Sequence, residues 1–139
     1  MVAILAATAA VTVPFQDCDP MGVTWHGNYL RYFEEARRAL FTQIDYGYQQ
    51  MQQSGYAWPI IDLKIRYPHP TTVDQQLLVK AELLEWQHRL RIRYQVHDAD
   101  TGKRLVKGET VQVAVAIANG EMCLQSPAIL QQKLAPWLD

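Results

Sequence analysis

One change of period constrains this chain more than any other feature. Between Tyr29 and Ile44, apolar side chains recur at Tyr29, Phe33, Ala36, Leu40 and Ile44, at spacings of four, three, four and four. That is one stripe of an amphipathic helix, with Arg31, Glu34, Glu35, Arg37 and Arg38 mostly off it. From Ala57 onward the period becomes two. In "IIDLKIRY", Ile61, Leu63, Ile65 and Tyr67 alternate with Asp62, Lys64 and Arg66; in "RLRIRYQVH", Leu90, Ile92, Tyr94 and Val96 alternate with charged or polar neighbours. Strands patterned this way bury one face and wet the other, as in an antiparallel sheet. A single sheet with one apolar face needs a cover, and only the long helix is large enough to supply it.

Local signals set the boundaries. The first apolar run ends at Pro14 and Phe15, and β-branched Val11, Thr12 and Val13 predict a strand there. Asn28 or Gly27 suits the helix N-cap. The helix is expected to fray near Tyr46-Gly47, with a further turn through "YQQMQQSG". "TTVDQQLLVKAELLEW" predicts another strand, and "DADTG" a hairpin turn into a long strand running to Ala118. Asn119-Gly120 is a strong hairpin signal leading into "EMCL". Ser126 as N-cap and Pro127 as first helical residue predict a short terminal helix. The expected fold is α+β, one domain over residues 1–139, with an antiparallel sheet of about five strands wrapped around one central helix. Open edges on so thin a sheet predict self-association, as a homodimer or a dimer of dimers.

Composition narrows the function classes. A formal net charge of −1 over 139 residues argues against nucleic-acid binding, which needs a basic excess to neutralise phosphates. Cys18 and Cys123 give neither a disulfide framework nor a paired zinc motif, and a reducing cytoplasm suits them. "MVAILAATAAVTV" lacks a basic start, the first Lys or Arg being Arg31, so it is not read as a secretion signal. No apolar stretch reaches the ~18 residues of a membrane span. A metal built from Asp17, Asp19 and His26 lacks further ligands at recognisable spacing, and no cofactor is expected.

Between the first strand and the helix lies "FQDCDPMGVTWHGNY", which packs two carboxylates, a thiol, a proline, two glycines and a histidine into fifteen residues. With the helix start, "FQDCDPMGVTWHGNYLRYFEEAR" resembles the corresponding segment of the 4-hydroxybenzoyl-CoA thioesterase-like branch of hotdog thioesterases. That pattern is an aromatic, Asp-x-Asp, a small residue and Gly, a His or Tyr, then a helix with an aromatic and an acidic residue before Ala-Arg. Phe15, Asp17, Asp19, Gly22, His26, Tyr29, Phe33, Glu34, Ala36 and Arg37 supply it in order. "WPIIDLKIRYPHP" and "GETVQVAVA" fit the family's topology, so the resemblance covers essentially the whole chain. It implies a hotdog fold and hydrolysis of acyl thioesters carried by CoA or, in some relatives, by acyl-carrier protein.

Thioester hydrolysis needs an attacking oxygen and donors aimed at the developing oxyanion. The loop puts the Asp19 carboxylate just ahead of a helix N-terminus, whose unpaired amides carry partial positive charge. The N–H groups of His26 and Gly27 are therefore candidate oxyanion donors, and the same positive end favours an ionised Asp19. Gly22 and Gly27 allow close backbone approach to substrate. Read from residues alone, Asp19 equally suits the cap of a turn ahead of Pro20. By resemblance it is the catalytic carboxylate, attacking the thioester to give a mixed anhydride or deprotonating water. Asp17 fits a supporting role, accepting loop amides and holding Asp19 in place. The His26 side chain is either a supporting donor or pocket lining.

By resemblance, Glu34 contacts the far end of the acyl group across a dimer interface; its alternative is an ion pair with Arg31 or Arg38. Tyr29, Trp25 and Trp58 are candidates for lining the acyl pocket, with core burial as their alternative. Arg89, Arg91 and Arg93 with Lys64 and Arg66 form basic stripes suited to CoA phosphates, to an acidic carrier protein, or simply to solvent. Cys18 is rejected as a nucleophile because two flanking carboxylates raise a thiol's pKa. A hotdog dehydratase is disfavoured, since His26 follows Asp19 by seven residues where that pattern has five. A non-catalytic module that binds acyl thioesters is the main competitor. An Asp-x-Asp phosphotransferase would need a parallel sheet, against which the alternating strands argue.

Overall fold

The structure, a computed structural model, describes residues 2–138. β1 (Leu5–Thr12) leads through a 3-10 turn at Phe15–Asp17 and a tight loop to a second 3-10 turn at His26–Asn28, which opens into α1 (Tyr29–Gln43). α2 (Tyr48–Gln53) then delivers the chain to β2 (Tyr56–Ala57) and β3 (Ile60–Arg66). β4 (Gln76–Glu85), β5 (Leu90–Asp98) and β6 (Arg104–Gln112) follow as a meander, and β7 (Val115–Ala116) and α3 (Ala128–Leu134) complete the order. Five strands form one antiparallel sheet in the order β1-β4-β5-β6-β3. β1 and β3 thus lie at opposite edges, and α1 carries the chain from one to the other across the concave face. This is the expected hotdog arrangement.

The periodicities identify what is buried. Tyr29, Phe33, Ala36, Leu40 and Ile44 are all buried, against Leu77, Val79, Ala81 and Leu83 of β4 and Leu90, Ile92, Tyr94 and Val96 of β5. Burial of each large side chain contributes roughly 1.5–3 kcal/mol. Over the middle of the sheet the Phe33 ring stacks on Tyr94 at 4.5 Å and 8°. A Cβ on Gly108 of β6 would fall 2.4 Å from that ring, so only glycine leaves room for it. No helix among the described residues is long and apolar enough to cross a membrane.

Four local expectations are corrected. The alternating face of β3 is largely uncovered: Ile61 is 58% exposed, Leu63 40% and Tyr67 49%, although Tyr29 at the start of α1 stacks on Tyr67 at 6.0 Å. The strand expected to run to Ala118 stops at Gln112. There it has passed the end of β3, where Pro59 has no N–H to continue the ladder, and the chain turns away to pair β7 with β2. Ser126 does not cap α3; its hydroxyl donates to the Trp86 carbonyl, and Pro127 holds the N-cap position. Asn28 precedes α1 but makes no side-chain cap, because its Nδ2 donates to the Asp17 carbonyl at 2.9 Å. The two hairpin turns are as expected, with Gly102 and Gly120 both in the left-handed region.

Candidate active site

Residues 17–25 fold back on themselves as a small hairpin. Cys18 bridges Thr24, the Asp19 N–H donates to the Val23 carbonyl at 2.9 Å, and the Trp25 N–H donates to the Asp17 carbonyl at 2.9 Å. Its tip is Asp19-Pro20-Met21-Gly22, where the Gly22 N–H donates to the Asp19 carbonyl and Gly22 has φ +82°. Pro20 and Gly22 are the residues such a turn needs. Asp19 is half-buried, and its Oδ1 accepts the Met21 N–H at 2.9 Å. Its Oδ2 has no hydrogen-bond or ion-pair partner among the described residues. One oxygen therefore caps the turn and the other is left without a partner among the described residues.

Asp17 anchors the hairpin, though not as expected. The loop amides do not reach its carboxylate; the Trp25 N–H and Asn28 Nδ2 go to its main-chain carbonyl. The carboxylate, 2% exposed as a residue, accepts the Tyr32 hydroxyl at 2.6 Å and pairs with Arg31. Burial pushes its pKa up, but the Arg31 and Tyr32 hydrogen bonds and the Arg31 charge outweigh burial and hold it below the usual range. Burial, and next Asp17 itself, push the Tyr32 phenol well above its ordinary value. Asp17 thus locks the hairpin to the first turn of α1. The other arm is held by Thr24, whose Oγ1 lies 2.5 Å from Thr71 Oγ1, which in turn meets the Tyr29 hydroxyl at 3.2 Å. Tyr29 is therefore spent in the core and lines no cavity described below.

Trp25 is extended and the backbone turns helical at His26. The Asn28 N–H donates to the Trp25 carbonyl and the Tyr29 N–H to the His26 carbonyl, whereas the His26 and Gly27 N–H groups donate to nothing among the described residues. They stand at the positive end of a helix that continues to Gln43. The Trp25 indole folds over Gly27, where a Cβ would come within 2.1–2.7 Å of the ring. The exposed His26 ring lies 5.1 Å from Trp25 and stacks on Tyr67 at 5.8 Å and 12°.

Glu34 and Trp58 meet in a cavity of about 350 Å³ between α1, α2 and the end of β6, together with Arg37, Phe41, Met51 and Gln112. Glu34 does not pair with Arg31 or Arg38. Arg31 is taken by Asp17 and Arg38 lies 3.5 Å from Glu35, leaving Arg37 at 3.8 Å from Glu34. Trp58 donates its indole N–H to the Tyr46 hydroxyl at 3.2 Å. Asp19, His26 and Gly27 do not line this cavity; Glu34 lies seven residues, about 10 Å of helix rise, beyond Gly27. Sequence reasoning missed Arg37 and Gln112, whose buried Nη1 and Oε1 have no hydrogen-bond partner among the described residues. Gln112 had a readable signal, since it continues the inward-facing alternation of Val106, Gly108 and Thr110 as a polar residue at a buried position.

The basic stripes divide in two. Arg89 pairs with Glu85 at 3.1 Å, Arg91 with Glu109 at 2.5 Å, and Arg93 with Glu82 through two hydrogen bonds of 3.1 and 3.2 Å. Arg93 is the chief cause holding the buried Glu82 below the usual carboxylate range. Lys64 and Arg66 enter no ion pair among the described residues.

The sequence profile of the thioesterase-like superfamily matches residues 13–138. The chain belongs to that family. A Synechocystis protein named as an esterase is 30% identical over 114 residues, which cover 81% of this chain and 69% of that one. The acyl-CoA thioester hydrolase of Escherichia coli is 25% identical over 73 residues, covering 52% of this chain and 54% of its own. The crystal structure of a Synechocystis 1,4-dihydroxy-2-naphthoyl-CoA thioesterase superposes with a TM-score of 0.83 at 21% identity, over 94% of this chain and 96% of that one. That last likeness is one of fold. The hotdog thioesterase expected from "FQDCDPMGVTWHGNYLRYFEEAR" is borne out at the level of family and architecture.

Proposed function

We propose that this thioesterase-family chain hydrolyses acyl-CoA thioesters, with Asp19 as the reacting carboxylate and the His26 and Gly27 amides as the oxyanion hole. The observation that carries the reading is the pair of undonated N–H groups at the start of α1, beside a hairpin that leaves one Asp19 oxygen without a partner. Attack on the thioester carbon puts negative charge on the carbonyl oxygen, which those amides are suited to receive. Collapse expels the thiolate of CoA. If Asp19 attacks directly, the product is an acyl-aspartyl anhydride that water then cleaves; if it acts as a base, it takes the proton of the attacking water. Asp17 and Gly22 serve as positioning residues, and His26 and Trp25 flank the carbonyl. Glu34 and Trp58 receive the acyl group, Tyr29 acting only through the packing beneath them.

The uncovered apolar edge of β3 supports a homodimer, since a second copy would bury Ile61, Leu63 and Tyr67. The thiol state of Cys18 and Cys123 suits a cytoplasmic setting. Acyl-carrier protein presents the same thioester, and the E. coli relative's name favours CoA. The test is steady-state hydrolysis of an acyl-CoA panel with free-thiol detection. Asp19→Ala and Asp19→Asn should lower kcat by about 10³-fold or more. Rapid-quench recovery of acylated protein would identify the nucleophilic route. Equal, negligible turnover by wild type and variants on CoA and carrier-protein substrates alike would instead assign a binding module.

A further inference from the structure

Two buried polar atoms in the cavity between α1, α2 and the end of β6 have nothing to bond among the described residues. Gln112 is 4% exposed, and its Nε2 donates to the Trp58 carbonyl at 2.7 Å, which fixes the amide and leaves Oε1 as its free end. Arg37 is mostly buried; its Nη2 lies 3.8 Å from Glu34, and its Nη1 meets nothing. Both residues line the same cavity, yet no hydrogen bond joins those two atoms. A buried donor and a buried acceptor left unpaired are costly, and a ligand that supplies both partners recovers the cost. Phe41, Met51 and Trp58, all buried, give the same cavity apolar walls.

Leu30, Glu34, Arg37 and Phe41 recur along α1 at spacings of four, three and four, a second stripe beside the core stripe. It runs from the helix start, with the proposed oxyanion amides, to the cavity. Arg37 follows Gly27 by ten residues, about 15 Å of rise, and helical side chains lean back toward the N-terminus by up to about a turn. Its guanidinium therefore lies about 10 Å beyond the Gly27 amide. An extended chain covers about 3.5 Å for every three bonds, so about eight or nine bonds separate the thioester carbon from a group bound there. A benzoyl ring joined directly to that carbon holds its para-hydroxyl well short of this.

We propose that the acyl group taken by this chain is aliphatic and carries a hydroxyl near its far end, held between Arg37 and Gln112. A hydroxyl fits both unpaired atoms, since its oxygen accepts from Arg37 Nη1 while its hydrogen is donated to Gln112 Oε1. A methyl satisfies neither, and a carboxylate or ketone has no hydrogen for Gln112. Arg37 and Gln112 are thus specificity-determining residues, and the buried side chains around them take the methylene chain. The assignment rests on the thioesterase reading above, in which Glu34 and Trp58 receive the acyl group.

The probes are 8-hydroxyoctanoyl-CoA and nonanoyl-CoA, which differ by a hydroxyl in place of a methyl. Wild type should favour the hydroxylated thioester by about tenfold or more in kcat/KM. Along a series of ω-hydroxyacyl-CoAs, the preference over the matching alkyl thioester should peak at about eight or nine carbons. Gln112→Leu and Arg37→Met should each bring the ratio to about twofold or less. A merely structural role would lower both rates and leave the ratio alone. Circular dichroism checks the fold of each variant, and either one carries the test if the other is unfolded. Titration calorimetry of 8-hydroxyoctanoic and nonanoic acids, which needs no turnover, should show the same order of preference. A wild-type ratio near one overturns the proposal and leaves a water to bridge the two residues. Faster hydrolysis of 4-hydroxybenzoyl-CoA than of 8-hydroxyoctanoyl-CoA overturns it, as does a preference that survives in a folded variant. A protein that binds the hydroxy acid preferentially through these residues yet hydrolyses no thioester upholds the pocket and sinks the hydrolase reading; one that hydrolyses both thioesters equally does the reverse.

Discussion

Gly108→Ala probes the packing of the Phe33 ring of α1 against the backbone of β6. The added Cβ would stand 2.4 and 2.7 Å from Phe33 Cε2 and Cζ and 2.9 Å from the Lys64 carbonyl oxygen. Carbon contacts relax near 3.5–4.0 Å, so the ring would have to retreat by about 1 Å. Retreat is blocked, because Phe33 is fully buried and lies 4.5 Å above Tyr94, whose hydroxyl is tied to Thr110 at 2.8 Å. Such overpacking costs about 1–3 kcal/mol. Against it, alanine regains the roughly 0.5–1 kcal/mol that glycine forfeits within a strand. The net is a destabilisation of up to about 2.5 kcal/mol, or up to about 10 °C in melting temperature for a domain this size. Scanning calorimetry reads this directly. In a Phe33→Leu background the same substitution should cost less, giving a coupling of about 1 kcal/mol. Glu34 and Arg37 ride on α1 within a turn of Phe33, so KM should rise as well. A higher melting temperature for Gly108→Ala, or strict additivity with Phe33→Leu, would refute the packing argument.

Three further outcomes follow from the same geometry. Asp17→Asn should cost about 1–2 kcal/mol at neutral pH through the lost charge-assisted bonds. Because the folded pKa of Asp17 is depressed, its contribution is present above about pH 4 and is lost as pH falls through the folded value, so acid-denaturation curves of wild type and variant should converge there. Gly27→Ala meets only the half-exposed Trp25 ring, which can swing into solvent; melting should shift by less than about 3 °C, while on the proposed reading kcat falls as the ring flanking the carbonyl is displaced. Leu63→Lys should leave the fold intact and shift a wild-type dimer toward monomer by light scattering, since it places charge on the uncovered β3 edge.

Both periodicities were legible because burial on folding creates them. The five-residue stripe of α1 and the Leu90, Ile92, Tyr94 and Val96 face of β5 are all core. The same logic misled at β3, where alternation marked an apolar face without saying what covers it. Ser126, the end of β6 and the partners of Glu34 were illegible for another reason. Each depends on which distant group competes for a hydrogen bond or charge: the Trp86 carbonyl, the β2 strand, Asp17. Arg37 reads on a helical wheel as a solvent-facing cation, and only the arrival of β6 beneath it makes a buried wall.

The two aspartates of "DCD" show where sequence ends and geometry begins. They share one side chain and one loop, and the family pattern alone ranks them. Physical chemistry separates them independently. Asp17 is buried, its carboxylate is met by Tyr32 and Arg31, and its carbonyl gathers the loop; oxygens so engaged and shielded make a poor nucleophile. Asp19 spends one oxygen on its turn and keeps the other without a partner among the described residues. The Asp17 interactions that occupy its own carboxylate also fix the hairpin against α1, and the role proposed for Asp19 relies on that anchoring. On that proposed reading, loosening Asp17 should reduce kcat, and the loss should be smaller than that from Asp19→Asn.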